Sequence, residues 1–233
     1  MSTTNRPTHS RGATRAVAPL LLVSLALCTA LASGCAAPAA IAYKLFGPPP
    51  IPPRYTPPKT EPMLVLVENP HSGAIAIPEA DELSRVIYEE LDAQKVAPQV
   101  DPAKLHELRD RDAAAFDKMS IAEIGRTVGA KQVLYVHVDR LDVENAPGSD
   151  MVRTRIAASL KVIDATTAMT AWPNAGDTEQ FEHQTPYRRI EAGTTPSQLK
   201  REILRESGVE LARWFYPWKP ETMTDENRDV KLR

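Results

Sequence analysis

Two runs of alternating side chains, Lys131 to Val143 and Met151 to Asp164, decide most of what this chain can become. In the first, Leu134, Val136 and Val138 fall on one side, with Tyr135, His137 and Asp139 on the other. In the second, Val152, Ile156, Leu160 and Val162 are in phase, and Arg153, Arg155, Ser159 and Lys161 stand opposite. A period of two belongs to strands, and one apolar side means one buried face. Asn145-Ala146-Pro147-Gly148-Ser149 between the runs has turn composition. The pair reads as a long antiparallel hairpin. Its register is pinned, because a slip of one residue would expose the whole apolar set.

The flanking sequence supplies the other layers. Met63-Leu64-Val65-Leu66-Val67 is a short apolar run, a buried first strand, and Asn69-Pro70-His71-Ser72-Gly73 breaks it. A helix follows, entered at Pro78, with Leu83, Val86, Ile87 and Leu91 on one face. Val96 to Val100 is expected as a brief second strand, and Pro102 opens a helix with Leu105 and Leu108 inward. Ser120-Ile121-Ala122-Glu123 is a capping-box pattern for a helix that Gly129 closes. After the hairpin, Asp164-Ala165-Thr166-Thr167 turns into a strand at Met169 to Trp172 that continues toward Phe181. A last helix starts near Pro196, with Ile203, Leu204, Ser207, Gly208, Leu211, Ala212 and Phe215 in its stripe. Ser207 and Gly208 are small where a helix must approach its neighbour closely. The fold class is α/β (α+β): a mixed sheet with a long antiparallel hairpin and helices packed on it.

A signal peptide and a proline-rich tether precede this domain. Arg6, Arg11 and Arg15 form a positive start with no acidic residue before Cys35, and an apolar stretch runs from Ala16 to Ala32. That is the layout of a secretory signal, about 17 apolar residues long where a membrane span needs about 20. Ala32-Ser33-Gly34-Cys35 resembles a lipobox, cut between Gly34 and Cys35, with lipid (diacylglycerol, and palmitate or another acyl chain) joined to the cysteine. The alternative is ordinary signal cleavage after Ala30-Leu31-Ala32, leaving Cys35 a free thiol. Two or three acyl chains anchor a protein stably, where one is marginal. With Cys28 removed and Cys35 acylated, no cysteine remains for a disulfide. Ala36 follows the cysteine where an inner-membrane retention signal would carry aspartate, so in a cell with two membranes the expected address is the outer membrane, facing the periplasm, and the alternative is a Gram-positive surface lipoprotein.

Pro48, Pro49, Pro50, Pro52, Pro53, Pro57, Pro58 and Pro62 make the segment before the first strand a polyproline II tether. The expected boundaries are 1–34 signal, 35–62 lipidated linker, 63–218 globular domain and 219–233 disordered polar tail. The 28 residues from Cys35 to Pro62 would reach roughly 85 Å. A proline-rich ligand for an aromatic groove is the sharper alternative to a spacer. The three arginines leave with the signal, so the mature chain carries a net charge of −5, which supplies no basic stripe for nucleic acid.

Within the domain a resemblance emerges. Val133-Leu134-Tyr135-Val136-His137-Val138 is followed by Ile156-Ala157-Ala158-Ser159-Leu160-Lys161-Val162-Ile163-Asp164-Ala165 and then by Ala171-Trp172. With Ile121-Ala122-Glu123-Ile124-Gly125 and Gly129-Ala130 before them, these resemble the envelope lipoprotein group of LpoB, CsgG and the TolB amino-terminal domain. The resemblance covers roughly Met63 to Trp172 and implies an α/β domain that assists a larger envelope complex. The group's turn carries Thr-Gly where this chain has Thr167-Ala168. If that turn takes positive φ, alanine fits it badly.

No catalytic residue is expected. His71, His106, His137 and His183 share no metal-ligand spacing, so neither metal nor cofactor is expected. Ser72 has no readable acid or base partner, and Asp110-Arg111-Asp112 reads as a solvated helix end. The run Trp214-Phe215-Tyr216-Pro217-Trp218 either closes the core at the last helix or offers Trp214, Tyr216 and Trp218 as a partner surface. Three function classes remain open. The first is a non-catalytic interaction module bound to membrane lipid through Cys35 and to an unidentified envelope protein. The second is a structural subunit of a secretion or transport assembly, and the third an unrecognised envelope hydrolase.

Overall fold

The structure is a computed structural model that describes residues 47–68, 76–174 and 176–220. The signal segment, the lipobox with Gly34 and Cys35, the expected break at 69–73 with His71 and Ser72, and the tail from 221 onward lie outside the described residues. Contacts divide the chain into Ile51–Trp218 and a second unit composed of Met1–Pro50 with Lys219–Arg233. All the described strands and helices belong to Ile51–Trp218.

One mixed sheet of six strands carries five helices. Its elements are β1 (Met63–Glu68), α1 (Ile77–Ala93), α2 (Pro102–Arg111), α3 (Ala113–Phe116), α4 (Ile121–Val128), β2 (Gln132–Asn145), β3 (Met151–Asp164), β4 (Thr170–Trp172), β5 (Glu179–Gln184), β6 (Arg188–Arg189) and α5 (Pro196–Ala212), with a closing 3-10 turn at Arg213–Phe215. β1 lies parallel to β2, Met63 opposite Gln132 and Glu68 opposite His137. β2 and β3 form the expected antiparallel hairpin, with Leu134 opposite Val162 and Val136 opposite Leu160.

Two features of the hairpin depart from the simple alternation. The register shifts between Val138 and Arg140, so Asp139 is the extra residue of a bulge. Beyond it the parity reverses, and Leu141 is buried where strict alternation would put it outside. The third strand is written in three pieces along one edge of β3. β4 pairs at Val162 and Ile163, β5 from Leu160 to Arg155, and β6 at Val152 and Met151. The expected continuation toward Phe181 therefore resumes beside the same strand after an excursion.

Helices cover one sheet face completely and the other in part. On the first face, α1 and α5 bury Leu83, Ile87, Leu91, Ile203, Leu204 and Leu211 against Val65, Val136, Leu160 and Val162. Gly208 of α5 sits so close to α1 that an added Cβ would lie 2.6 Å from Val86 Cγ1. On the second face, Leu105, Phe116, Ile124 and Val128 of α2, α3 and α4 pack on Leu64, Leu66 and Val133. The Ser120–Glu123 box is formed, Ser120 N donating to Glu123 Oε2 at 2.8 Å, and Gly129 closes α4 at φ 85°.

Two expectations need correction. Val96 to Val100 is not a strand: it meets β1 in a single bridge, Gln99 beside Met63. Pro98 lacks the donor that a ladder requires, and Pro102 starts a helix immediately afterwards. The second correction moves the linker boundary. Residues from Ile51 to Pro62 are part of the folded unit, not a free leash. Ile51 N donates to Trp218 O at 2.7 Å, Arg54 N to Trp214 O at 2.7 Å, and Lys131 N to Pro62 O at 2.8 Å. Pro57 is buried, and the Tyr55 hydroxyl donates to Gln132 Oε1 at 3.0 Å. Proline richness fixes the segment as extended, but extended chain can lie along a domain as readily as it can span a gap.

Candidate functional site

Among the described residues no helix lies over the far half of the second sheet face, where alternation on β2 and β3 turns polar side chains outward. From the covered end outward, Tyr135 stands opposite Lys161, His137 opposite Ser159, Asp142 opposite Arg155 and Glu144 opposite Arg153. β5 adds Gln180 beside Ser159 and Glu182 beside Ala157. This polar platform is the candidate site. From Leu134 to Leu141 and from Val152 to Val162 its inward counterparts are buried and, apart from Thr154, apolar, so the strands that build the core also present it.

The charges on the platform are mutually engaged. Glu144 accepts from Arg153 at 2.7 Å and lies 3.3 Å from Arg155, whose Nε is 3.7 Å from Glu182. The hydrogen bond from Arg153 holds the Glu144 carboxyl below its ordinary range, with the Arg153, Arg155 and Arg140 charges adding to it. Lys161 lies 5.4 Å above the Tyr135 ring, and Tyr135 stacks on His137 with centroids 6.4 Å apart. Burial, then the charges of Glu68 and Asp139, push the Tyr135 phenol up. Glu68, at the end of β1, is also raised by burial; Arg109 opposes this and Asp117 reinforces it.

The chemistry open to the row is limited by its order. The Ser159 hydroxyl donates to Asp139 Oδ2 at 2.7 Å, and Asp139 Oδ1 lies 3.6 Å from His137 Nε2. The aspartate stands between hydroxyl and imidazole, whereas activating a serine requires the base in the middle. The bulge at Asp139 creates this contact, so spacing alone did not reveal it. His183 belongs to the opposite face. Its Nδ1 is 2.7 Å from Glu210 and its Nε2 3.5 Å from Glu206, so its two nitrogens point to different carboxylates. His106 is exposed on α2. Among the described residues no group of three His, Cys, Asp or Glu side chains is placed to hold a metal. Asp110, Arg111 and Asp112 are exposed as expected, and Asp112 caps α3 by accepting from Ala115 N at 3.0 Å.

The three aromatic residues of the candidate partner surface sit elsewhere, where the chain enters and leaves the domain. Tyr216 is buried, and its hydroxyl donates to Glu90 Oε1 at 2.6 Å; burial first, and then that bond, raise its pKa strongly. Trp214 and Trp218 are half-buried. Trp214 meets Trp172 and Phe181 edge-on at 6.2 and 5.7 Å, under the Arg54 guanidinium at 3.8 Å. Arg213 lies 4.6 Å over Trp218. The run closes the core against the Ile51–Tyr55 strap. Sequence reasoning missed the strap and its Arg54–Glu179 pair at 2.6 Å. The available signal was Tyr55 and Arg54 standing among prolines that otherwise read as spacer.

No protein-family model matches the chain, and no curated protein matches it. Solved structures do. A lipoprotein of Neisseria meningitidis aligns over 67% of this chain and 99% of its own, at 12% identity and a TM-score of 0.41. PelC of Paraburkholderia phytofirmans, seen as a dodecamer, aligns over 70% of this chain and 94% of its own, at 13% identity and a TM-score of 0.34. The C-terminal domain of LpoB from Salmonella enterica aligns over 55% of this chain and 84% of its own, at 19% identity and a TM-score of 0.35.

Proposed function

We propose that this chain is an envelope lipoprotein, held by lipid on Cys35 at the outer membrane and facing the periplasm, whose folded domain is a non-catalytic interaction module. It serves an envelope complex of cell-wall synthesis, transport or secretion by binding a protein through the polar platform. The observation that carries the reading is the run from Arg6 through the apolar stretch to Ala32-Ser33-Gly34-Cys35, with a folded domain beginning at Ile51. Fifteen residues, 36–50, lie between Cys35 and the folded domain. That holds the domain at high effective concentration near partners in the same envelope layer. The sequence resemblance to the LpoB, CsgG and TolB group supports the same class. The platform disfavours a membrane-spanning subunit, because lipid-facing strands need an apolar outer band and Arg153, Arg155 and Lys161 occupy that face here.

The test has two arms. Cys35→Ala abolishes acylation, read by mass spectrometry of the mature amino terminus; a terminus elsewhere with Cys35 unmodified overturns the anchor. A photo-crosslinking residue at Glu182 or Arg140 captures an envelope protein that the same residue at Arg205 on α5 does not. If His137→Ala or Asp139→Asn instead removes function from a folded protein while shortening of 36–50 changes nothing, the platform is an active site.

A further inference from the structure

The domain's entry and exit form one pole of distinct composition. Ile51 and Trp218 are bridged antiparallel, so the strap and the segment after α5 lie side by side there. Ile51-Pro52-Pro53-Arg54-Tyr55-Thr56-Pro57-Pro58 and Arg213-Trp214-Phe215-Tyr216-Pro217-Trp218 contain two arginines and no acidic residue, in a mature chain of net charge −5. Ile51 is 41% exposed, Pro52 and Pro217 are exposed, and Trp214 and Trp218 are half-buried. The Arg54 and Arg213 guanidinium groups lie over the two indoles. Two acidic side chains from elsewhere meet this surface: Glu179 pairs with Arg54, and Glu90 accepts from the Tyr216 hydroxyl.

We infer that this pole docks on the anionic headgroup layer of the bilayer that carries the chain's own lipid. The inference rests on the proposed acylation of Cys35. Indole rings with one apolar and one wet side settle at the headgroup level, and arginines whose stems lie along apolar surface keep their charge in that layer. Lipid phosphates complement Arg54 and Arg213. The fifteen residues between Cys35 and Ile51 end at this pole, so it is the part of the domain that the anchor brings first to the membrane. Docking there leaves the polar platform, built from other residues, available to a protein partner.

All three tryptophans of the chain, Trp172, Trp214 and Trp218, belong to this cluster, so intrinsic fluorescence reports on the pole alone. The processed, lipid-bearing protein is reconstituted into phosphatidylcholine–phosphatidylglycerol vesicles whose acyl chains carry bromine near the headgroup. Tryptophan emission is expected to be quenched relative to unbrominated vesicles. Ile51→Asp with Arg213→Glu should weaken that quenching at least about two-fold, at unchanged far-ultraviolet circular dichroism. Unquenched protein that still floats with the vesicles overturns docking and leaves the anchor standing. Quenched protein whose Cys35 is unmodified by mass overturns the anchor and leaves docking standing. Protein that neither floats nor quenches overturns both. Unquenched protein that elutes as a dimer through this pole assigns the surface to a second copy and overturns docking on lipid.

Discussion

The two ends of the sheet obey different sequence grammars. At β1 every residue from Met63 to Val67 is buried, because α1 packs on one side and α4 with its neighbours on the other. Along β3 burial alternates over nearly the whole strand, because helices cover one side throughout while on the other α4 reaches only the end near Ile163 and the rest is the platform. A continuous apolar run and an alternating one thus report how many layers lie over a strand, not how firmly it belongs to the sheet. The lesson reaches function: of these two strands, β3 is the one that turns a whole row of side chains away from the core.

The largest test of that contrast is a charge placed on each strand. Leu66→Lys and Val65→Lys, on opposite faces of β1, should each cost more than about 4 kcal/mol or prevent folding, since either buries an unpaired ammonium. On β3 only one parity should behave so. Ile156→Lys should be equally damaging, while Ala157→Lys on the platform should stay within about 1 kcal/mol in urea unfolding. Equal damage at both β3 positions would mean that the platform is covered.

Next in size is Gly208→Ala, which forces a methyl into Val86 and should cost about 2 kcal/mol despite the better helix propensity of alanine. Thermal unfolding of Gly208→Ala with and without Val86→Ala separates the clash from any other cause, since the second change should restore most of the loss. A smaller effect of opposite sign belongs to the β3–β4 turn. Ala168 sits at φ 59° there, in the left-handed region that glycine adopts without strain. Ala168→Gly should stabilise by about 0.5–1 kcal/mol, seen as a rise in Tm.

The smallest concerns Glu144. Its carboxyl titrates below the ordinary range because Arg153 bonds it, so the stability it adds is present above that range and lost as pH falls through its lowered value. Glu144→Gln should lower Tm slightly at neutral pH, and the difference should vanish in acid. A difference that persists in acid would show that the loss is not electrostatic.

Much of this architecture was legible because short-range rules coincide with the tertiary outcome. The Ser120–Glu123 box, Gly129, the apolar stripe of α1 and the small pair Ser207-Gly208 each state a local requirement that the fold honours. The bulge at Asp139 was legible in principle: apolar residues on even positions through Val138 pass to Leu141, an odd one. The pairing of β5 with β3 and the docking of Tyr55 were not, because each depends on a surface made by distant segments. The platform followed from the alternation, but the contact of Ser159 with Asp139 needed the bulge to bring them together.

The adjacency of Ile51 and Trp218 sets how the domain bears mechanical load. Tension applied to the chain ahead of Ile51 enters the folded unit at that residue, which a single bridge of two hydrogen bonds, at 2.7 and 3.2 Å, ties to Trp218. Two bonds resist less than the long ladders that join β1, β2 and β3. The strap therefore yields before the β1–β2–β3 sheet is strained, lengthening the leash by the residues it releases while the platform keeps its shape.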